Sequence, residues 1–300
     1  MAENEISETT FDVVVIGGGP AGVETAAEAG KSKLKTLIVA DMPIGGRATY
    51  GSLLPSKAWL HTAEEHAHGD GRGGGMPDLT PLREAIQRHQ KGRTAQLSQS
   101  LTEQGVTVVS GTGRFINRNT VRIYPTGESA TDVSAKAIVI TSGSEPRFFP
   151  NVKPDGNRMI APRHTQKLQE LPDNMIMVGG GVTGCEYASA FQKMGTQVHL
   201  ITDIDRLLPR TEPDLAAALR RRMETLGVEF SFNSPIKSVE AAGNEVLTTT
   251  QDGSEYRTDY TFIATGRRPD DSFLEEAAER PAQTDGGWLQ VDARGRSSLE

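Results

Sequence analysis

The chain of 300 residues is long enough for two domains of about 150 residues each, and at 36% apolar it can bury a sizeable core. A formal charge of −7 excludes the basic footprint of a nucleic-acid-binding protein, and no apolar run reaches the ~18–20 residues of a membrane span, so neither partner is expected. The single cysteine, Cys185, excludes an internal disulfide and a four-cysteine metal site, and it suits the reducing cytoplasm expected as the location.

Residues 1–10, MAENEISETT, lack the basic and apolar regions of a signal peptide and are expected to form an acidic, mobile tail. FDVVVIGGGPAG then predicts a buried strand, a glycine turn and a helix running through VETAAEAG. TLIVAD, residues 36–41, predicts a second strand, and a helix is expected over 55–68 with Pro55 at its opening. A glycine-rich loop over 69–78 precedes a charged helix from Leu82 to Gly105. VTVVSGTGRF, NTVRIYP and AKAIVITSG follow as strands separated by turn residues. EPRFFPNVKPDG, residues 145–156, is rich in proline and aromatics and marks a domain boundary. Beyond it NMIMVGGGVTGCEYASAF is again strand, glycine turn, helix, followed by the strand TQVHLITD and the helix PDLAAALRRRMETLG. Further strands end in YTFIATGRRPD.

The second half repeats the first at a constant offset. A shift of 162 residues carries Gly17, Gly19 and Gly22 onto Gly179, Gly181 and Gly184, and Asp41 onto Asp203. Glu24 likewise falls on Glu186, and Ala26 on Ala188. One Gly-x-Gly-x-x-Gly is weak; two copies, each behind an apolar strand and ahead of a helix, predict two dinucleotide-binding domains. In such a turn the first glycine makes the bend, the second lets backbone approach a pyrophosphate, and the third lets helix pack against strand. The pyrophosphate then meets free N–H groups at the positive end of the helix dipole. Asp41 and Asp203 each lie 19 residues past the third glycine, where an acid can accept hydrogen bonds from ribose hydroxyls; a plain turn aspartate at a strand end is the competing role.

With these motifs in place the chain resembles the pyridine nucleotide-disulfide oxidoreductase family of flavoproteins. The resemblance rests on GGGPAG, GGRATYGSLLPSK (residues 45–57), GGGVTGCEYA and ATGRRPD (residues 264–270), which stand in the family's order. It implies an α/β fold of two Rossmann-like FAD/NAD(P)-binding domains, each a parallel sheet with helices and an antiparallel β-meander. Residues 11–150 would bind FAD, 151–270 NAD(P), and 271–300 would return toward the FAD domain. Gly17, Gly19, Pro20, Ala21 and Gly22 would cradle the FAD pyrophosphate, and Asp41, with Ala40 beside it, falls where the family binds ribose. Thr112 and Gly113 would face the adenine, Gly45, Gly46 and Lys57 would lie along the isoalloxazine, and Ser142 and Gly143 would close the site. On the nicotinamide side the matching residues are Gly179, Gly181, Val182, Thr183, Gly184, Glu186, Thr202, Asp203 and Gly266. Lys57 and Glu186 are the implied catalytic pair, meeting beside flavin N5, where a fixed cation stabilises negative charge. Asp203 opposes a 2′-phosphate, so NAD(H) is favoured over NADP(H), although Arg206 and Arg210 lie near.

The departures narrow the chemistry. In the disulfide reductases the stretch after the second strand is similar to GG-x-C-x-x-x-x-C-x-PSK, and here Ala48 and Leu53 hold the two cysteine positions. Neither can form a thiolate or a disulfide, so an acceptor other than a bound disulfide is expected. Within the family the chain resembles soluble pyridine nucleotide transhydrogenase, through Thr49 and the run Gly184–Phe191, and dihydrolipoamide dehydrogenase-like proteins. A helix N-terminus can lower the pKa of a thiol such as Cys185, but a buried packing role is favoured. His61, His66, His68 and Asp70 are too unevenly spaced for a good metal site, and Arg220–Arg222 form a solvated helix face. The chain ends just short of the family's second FAD-binding segment, so a fragment of a longer protein is expected, with a homodimer only for the full-length form. The expected function is NAD(P)H-dependent flavin oxidoreduction, a second nicotinamide nucleotide being one possible acceptor; the alternative is a nucleotide-binding redox sensor or scaffold with little turnover.

Overall fold

The computed structural model describes Ile6, residues 8–68 and residues 76–299. The expected tail and glycine-rich loop therefore lie largely outside the described residues, as do Asp70 and the side chain of His68. The elements run in the order β1 (Thr10–Ile16), α1 (Pro20–Lys31), β2 (Thr36–Ala40), α2 (Gly46–Tyr50), α3 (Leu53–His68), α4 (Thr80–Glu103), β3 (Thr107–Asn117), β4 (Thr120–Pro125), β5 (Thr131–Ile140) and β6 (Ser144–Pro146). They continue with β7 (Met159–Ile160), β8 (Asn174–Val178), α5 (Val182–Lys193), β9 (Gln197–Ile201), α6 (Pro213–Thr225), β10 (Glu229–Ser231), β11 (Ile236–Ala242), β12 (Glu245–Thr250), β13 (Glu255–Thr258), β14 (Tyr260–Ile263) and β15 (Arg267–Pro269). The described residues form two compact units: one holds those up to Tyr50, His89–Glu145 and those from Arg267 onward, and the other those of Gly51–Arg88 and Pro146–Gly266.

In the first unit β1 lies between β2 and β5, parallel to both, and β2 pairs in parallel with β3. Val13–Ile16 of β1 and Leu37–Ala40 of β2 read as unbroken apolar runs because residues on both faces are covered: all four of the former and all five residues of β2 are buried. β3 is longer and serves two partners. Leu37–Ala40 pair with Thr107–Ser110, and the remainder of β3 turns antiparallel to β4, which in turn pairs with β5. The result is a parallel sheet continuous with an antiparallel meander, closed into a ring of five strands. The return segment packs here through Phe273 and Leu274, buried with Phe11, Leu37, Phe115 and Val121. Its acidic run is held to the meander by Arg114–Glu275 and Arg122–Glu276, both at 2.9 Å.

In the second unit five parallel strands stand in the order β10-β9-β8-β14-β7, with a separate β11-β12-β13 meander. α5 covers the sheet through Tyr187, Ala188, Ala190 and Phe191, all buried in a core shared with Trp59 and Ala63 of α3. The α/β class expected from the sequence is the observed one. Local differences are small: α3 opens at Leu53, with Pro55 inside its first turn, where the missing N–H has no intrahelical partner to lose. α4 starts at Thr80 rather than Leu82, its first N–H donating to Asp78 Oδ1 at 2.8 Å.

Candidate functional site

In the first unit the apolar strand β1 delivers the chain to Gly17, whose φ of +113° lies in the left-handed region. A Cβ on Gly17 would fall 2.3 Å from the Thr141 carbonyl oxygen, and one on Gly22 would fall 1.9 Å from Gly17 O. These two positions admit only glycine. Gly19 differs: it is the N-cap of α1, with φ −75° and ψ −177°, and a Cβ there would meet nothing within 4 Å. That open space over the helix end is what a pyrophosphate needs. Pro20 occupies the first helical position and has no N–H, so Ala21 and Gly22 supply the first-turn donors. The chain after β2 is laid onto this turn: Gly45 N–H donates to Gly18 O at 2.8 Å, and a Cβ on Gly46 would come 2.8 Å from Gly19 Cα. Asp41 is exposed at the end of β2. Gly113 is buried, and its missing Cβ makes room for Val39 and Ile16; Thr112 beside it is half-buried.

The second unit builds the same cradle almost to the degree. Gly179 has φ +113°, and its Cβ would meet Ala264 O at 2.4 Å. Gly181, the N-cap of α5, has φ −78° and ψ −178° with open space beyond it. A Cβ on Gly184 would fall 1.9 Å from Gly179 O, the same distance as in the first copy. Here Val182 replaces the proline and adds an N–H donor; its side chain is 63% exposed, and Thr183 is half-buried. Thr202 is buried at the end of β9, Asp203 next to it is exposed, and Gly266 has φ +99°. Both cradles thus fit the phosphate of a dinucleotide on geometry alone.

Lys57 and Glu186, 129 positions apart, meet in an ion pair with Nζ 2.5 Å from Oε1. α3 and α5 bring them together. Lys57 is half exposed at 54% and Glu186 less so at 26%. Cys185 beside Glu186 is a buried packing residue: desolvation pushes its thiol up to about 12, and its Sγ lies 3.6 Å from Gly180 O. Trp59 is buried in the aromatic core of the second unit. His61 faces Glu65 one turn on at 3.4 Å, and among the described residues no group of three His, Cys, Asp or Glu side chains is placed to hold a metal.

One feature of the first unit is not visible in the sequence. Arg47, beside Gly46, donates to Asp270 Oδ2 at 3.0 Å and to the Ser144 carbonyl, to which Arg267 also donates. Ser142 Oγ donates to Asp270 O at 2.8 Å, and Asp270 N–H to Gly143 O at 3.2 Å. The Gly45–Gly46 turn, the Ser142–Gly143 turn and the ATGRRPD segment are therefore tied at Asp270. The signal is the Arg47 and Asp270 residue types inside two motifs 223 positions apart, which nothing in the sequence pairs.

Comparison with known proteins agrees with this geometry. The dihydrolipoyl dehydrogenase of Chlamydia muridarum is 32% identical, the match covering 86% of this chain and 57% of that protein. The NAD(P)H dehydrogenase (quinone) of Mycobacterium tuberculosis is 29% identical, over 95% of this chain and 62% of that protein. Among solved structures, LpdA from Mycobacterium tuberculosis superposes with a TM-score of 0.87 at 27% identity, covering 97% of this chain and 66% of that one. The HOCl-induced flavoprotein disulfide reductase RclA from Escherichia coli, at 22% identity and a TM-score of 0.86, shares the fold. The chain spans somewhat over half the length of these relatives. The family model described as pyridine nucleotide-disulphide oxidoreductase matches residues 11–300, and with two glycine cradles of one geometry behind that match, the chain belongs to this family.

Proposed function

We propose that this chain is the nucleotide-binding part of an oxidoreductase that takes hydride from NAD(P)H onto FAD and passes the electrons to an acceptor other than a bound disulfide. The observation that carries it is the duplicated cradle, in which Gly19 and Gly181 leave open space at two helix N-termini while Gly17, Gly22, Gly179 and Gly184 admit no side chain. We assign the first cradle, residues 11–150, to FAD and the second, 151–270, to the nicotinamide nucleotide. Bound FAD supplies the two-electron chemistry that no side chain here provides. The chain's own part is to bind and orient: Ala21 and Gly22 offer N–H groups to one pyrophosphate, and Val182, Thr183 and Gly184 to the other. Thr112, Gly113, Ser142 and Gly143 are assigned to the FAD side with Asp41, Gly45 and Gly46, and Gly266 to the nicotinamide side. Lys57, fixed by Glu186, carries the positive charge assigned to the reacting end.

NAD(H) is favoured over NADP(H). Asp203 is exposed just past β9, where its charge would oppose a bound 2′-phosphate, and Arg206 donates to Pro209 O at 2.7 Å within its own turn. Exclusion of the disulfide route rests on Ala48 and Leu53 and on a sole cysteine whose thiol is buried and protonated at neutral pH. A second nicotinamide nucleotide is one acceptor that needs no thiolate; a quinone, named for the mycobacterial relative, is another. The test is anaerobic mixing of the FAD-loaded protein with NADH and NADPH separately, followed by an acceptor screen. Bleaching of flavin absorbance within milliseconds, faster with NADH, supports the proposal. No bleaching over minutes supports the sensor or scaffold instead, and turnover that requires a dithiol restores the disulfide route.

A further inference from the structure

Two ion pairs join α3 to α5, and they share one register. Lys57 meets Glu186 and Glu64 meets Lys193, each across 129 positions, and the helices themselves begin at that offset, at Leu53 and Val182. Helices matched at a constant offset run in the same direction with their N-termini level. From 57 to 64, and from 186 to 193, is seven residues, close to two turns, so each helix presents both of its charges on one face, about 10 Å apart. The order of charge is inverted between them: lysine then glutamate on α3, glutamate then lysine on α5. Displacement by one heptad would set Lys57 against Lys193 in one direction and Glu64 against Glu186 in the other. Between the two pairs lie Trp59, Ala63, Ala190 and Phe191, all buried, with the Trp59 and Phe191 rings 4.9 Å apart.

The pairs differ in surroundings. The Lys57 side chain is 54% exposed, but that of Lys193 is only 10% exposed. The Lys193 stem is covered while its Nζ meets Glu64, whose side chain is 47% exposed, so little rotamer freedom is left to the lysine and the contact is held in one place. Lys193 also ends α5, where a cation complements the negative end of the helix. We propose that Glu64 and Lys193 are positioning residues, a second tie two turns along that holds Lys57 opposite Glu186. Their importance for turnover rests on the catalytic role proposed above for the exposed pair; the register they set is measurable without it.

The experiment places thiols at the exposed pair, Lys57→Cys with Glu186→Cys in a Cys185→Ala chain, and follows bridging by dibromobimane, which fluoresces once both thiols have reacted. Adding Glu64→Gln with Lys193→Met is expected to slow bridging by about tenfold, and Glu64→Lys with Lys193→Glu, which restores a pair at the same place, to recover it. Thermal midpoints by circular dichroism are read on each variant. An unchanged bridging rate without the Glu64–Lys193 pair overturns the proposal, as does a folded charge-swapped chain that fails to recover it; the swap decides the matter even where the neutral variant does not fold. In the FAD-loaded chain with Lys57 intact, Lys193→Met is expected to lower the limiting rate of flavin reduction without moving the NADH concentration at half-saturation. If bridging falls as expected but Lys57→Met reduces its flavin as fast as the unaltered chain, the register stands and the catalytic assignment fails.

Discussion

The glycines of each cradle separate into two kinds, and alanine distinguishes them. At Gly181 the backbone, φ −78° and ψ −178°, is extended and allowed for alanine, and the new methyl meets nothing within 4 Å. Gly181→Ala should therefore leave the ligand-free fold intact and within about 1 kcal/mol of its stability, since the gain through the unfolded chain is opposed by alanine's poor fit at an N-cap. The same methyl fills the space over the N-terminus of α5, so NADH affinity should fall by about 100-fold or more, near 2.7 kcal/mol. At Gly184 the methyl would lie 1.9 Å from Gly179 O, more than an ångström inside contact distance and against backbone that cannot rotate away. Gly184→Ala should then destabilise the fold by about 3 kcal/mol. The assay is a urea midpoint for each ligand-free variant and an NADH titration by fluorescence quenching. If Gly181→Ala destabilises as much as Gly184→Ala, or keeps its NADH affinity, the assignment of open space to the pyrophosphate is refuted. Gly19→Ala and Gly22→Ala repeat the contrast for FAD, with open space and 1.9 Å respectively.

Three further outcomes are expected. Lys57→Met removes a charge assigned to the reacting end, so stopped-flow should show flavin reduction by NADH slowed by about 100-fold with little change in NADH affinity. Burial alone would raise the Asp270 carboxyl, but hydrogen bonds from the Ser272 hydroxyl and backbone N–H, together with Arg47, outweigh it and hold the group below its ordinary value. A depressed carboxylate stabilises the fold at pH above its unfolded value near 4 and loses that contribution as pH falls through its folded value. Asp270→Asn should accordingly lower the denaturation midpoint at pH 7 and flatten the acid limb; an unaltered acid limb counts against the tie at Asp270. Cys185, with its thiol raised to about 12, should resist an aromatic disulfide reagent at pH 8 while folded and react at once in guanidinium. Rapid labelling of the folded chain contradicts the packing role.

How much of the site was legible follows from how local each signal is. The strand–glycine–helix units could be read because a positive φ at Gly17 and Gly179 demands glycine and a strand covered on both faces demands an apolar run. Both demands act within about a dozen neighbouring residues, and the offset of 162 made each copy a check on the other. α2 gives no signal in the sequence because GRATY is short and carries no helical period of its own; its place comes from Gly45 and Gly46 packing on the first glycine turn. α3 opens two residues before the expected Pro55, since a proline near the start of a helix does not say which first-turn position it holds.

The sequence by itself determined the duplicated dinucleotide-binding cradles, the absence of two cysteines at Ala48 and Leu53, and through the resemblance the pairing expected of Lys57 and Glu186. The tertiary structure alone decided which other charges meet. Nothing in the sequence pairs Glu64 with Lys193; they meet only because α3 and α5 pack in one register and cover most of the lysine side chain. Arg47 and Asp270 are likewise unrelated until the chain returns to the first unit and sets the carboxylate 3.0 Å from the guanidinium. The physical reason is the range of the forces involved. Backbone sterics and apolar periodicity are properties of a segment, whereas a charge acquires its partner and its exposure from elements far away in the chain.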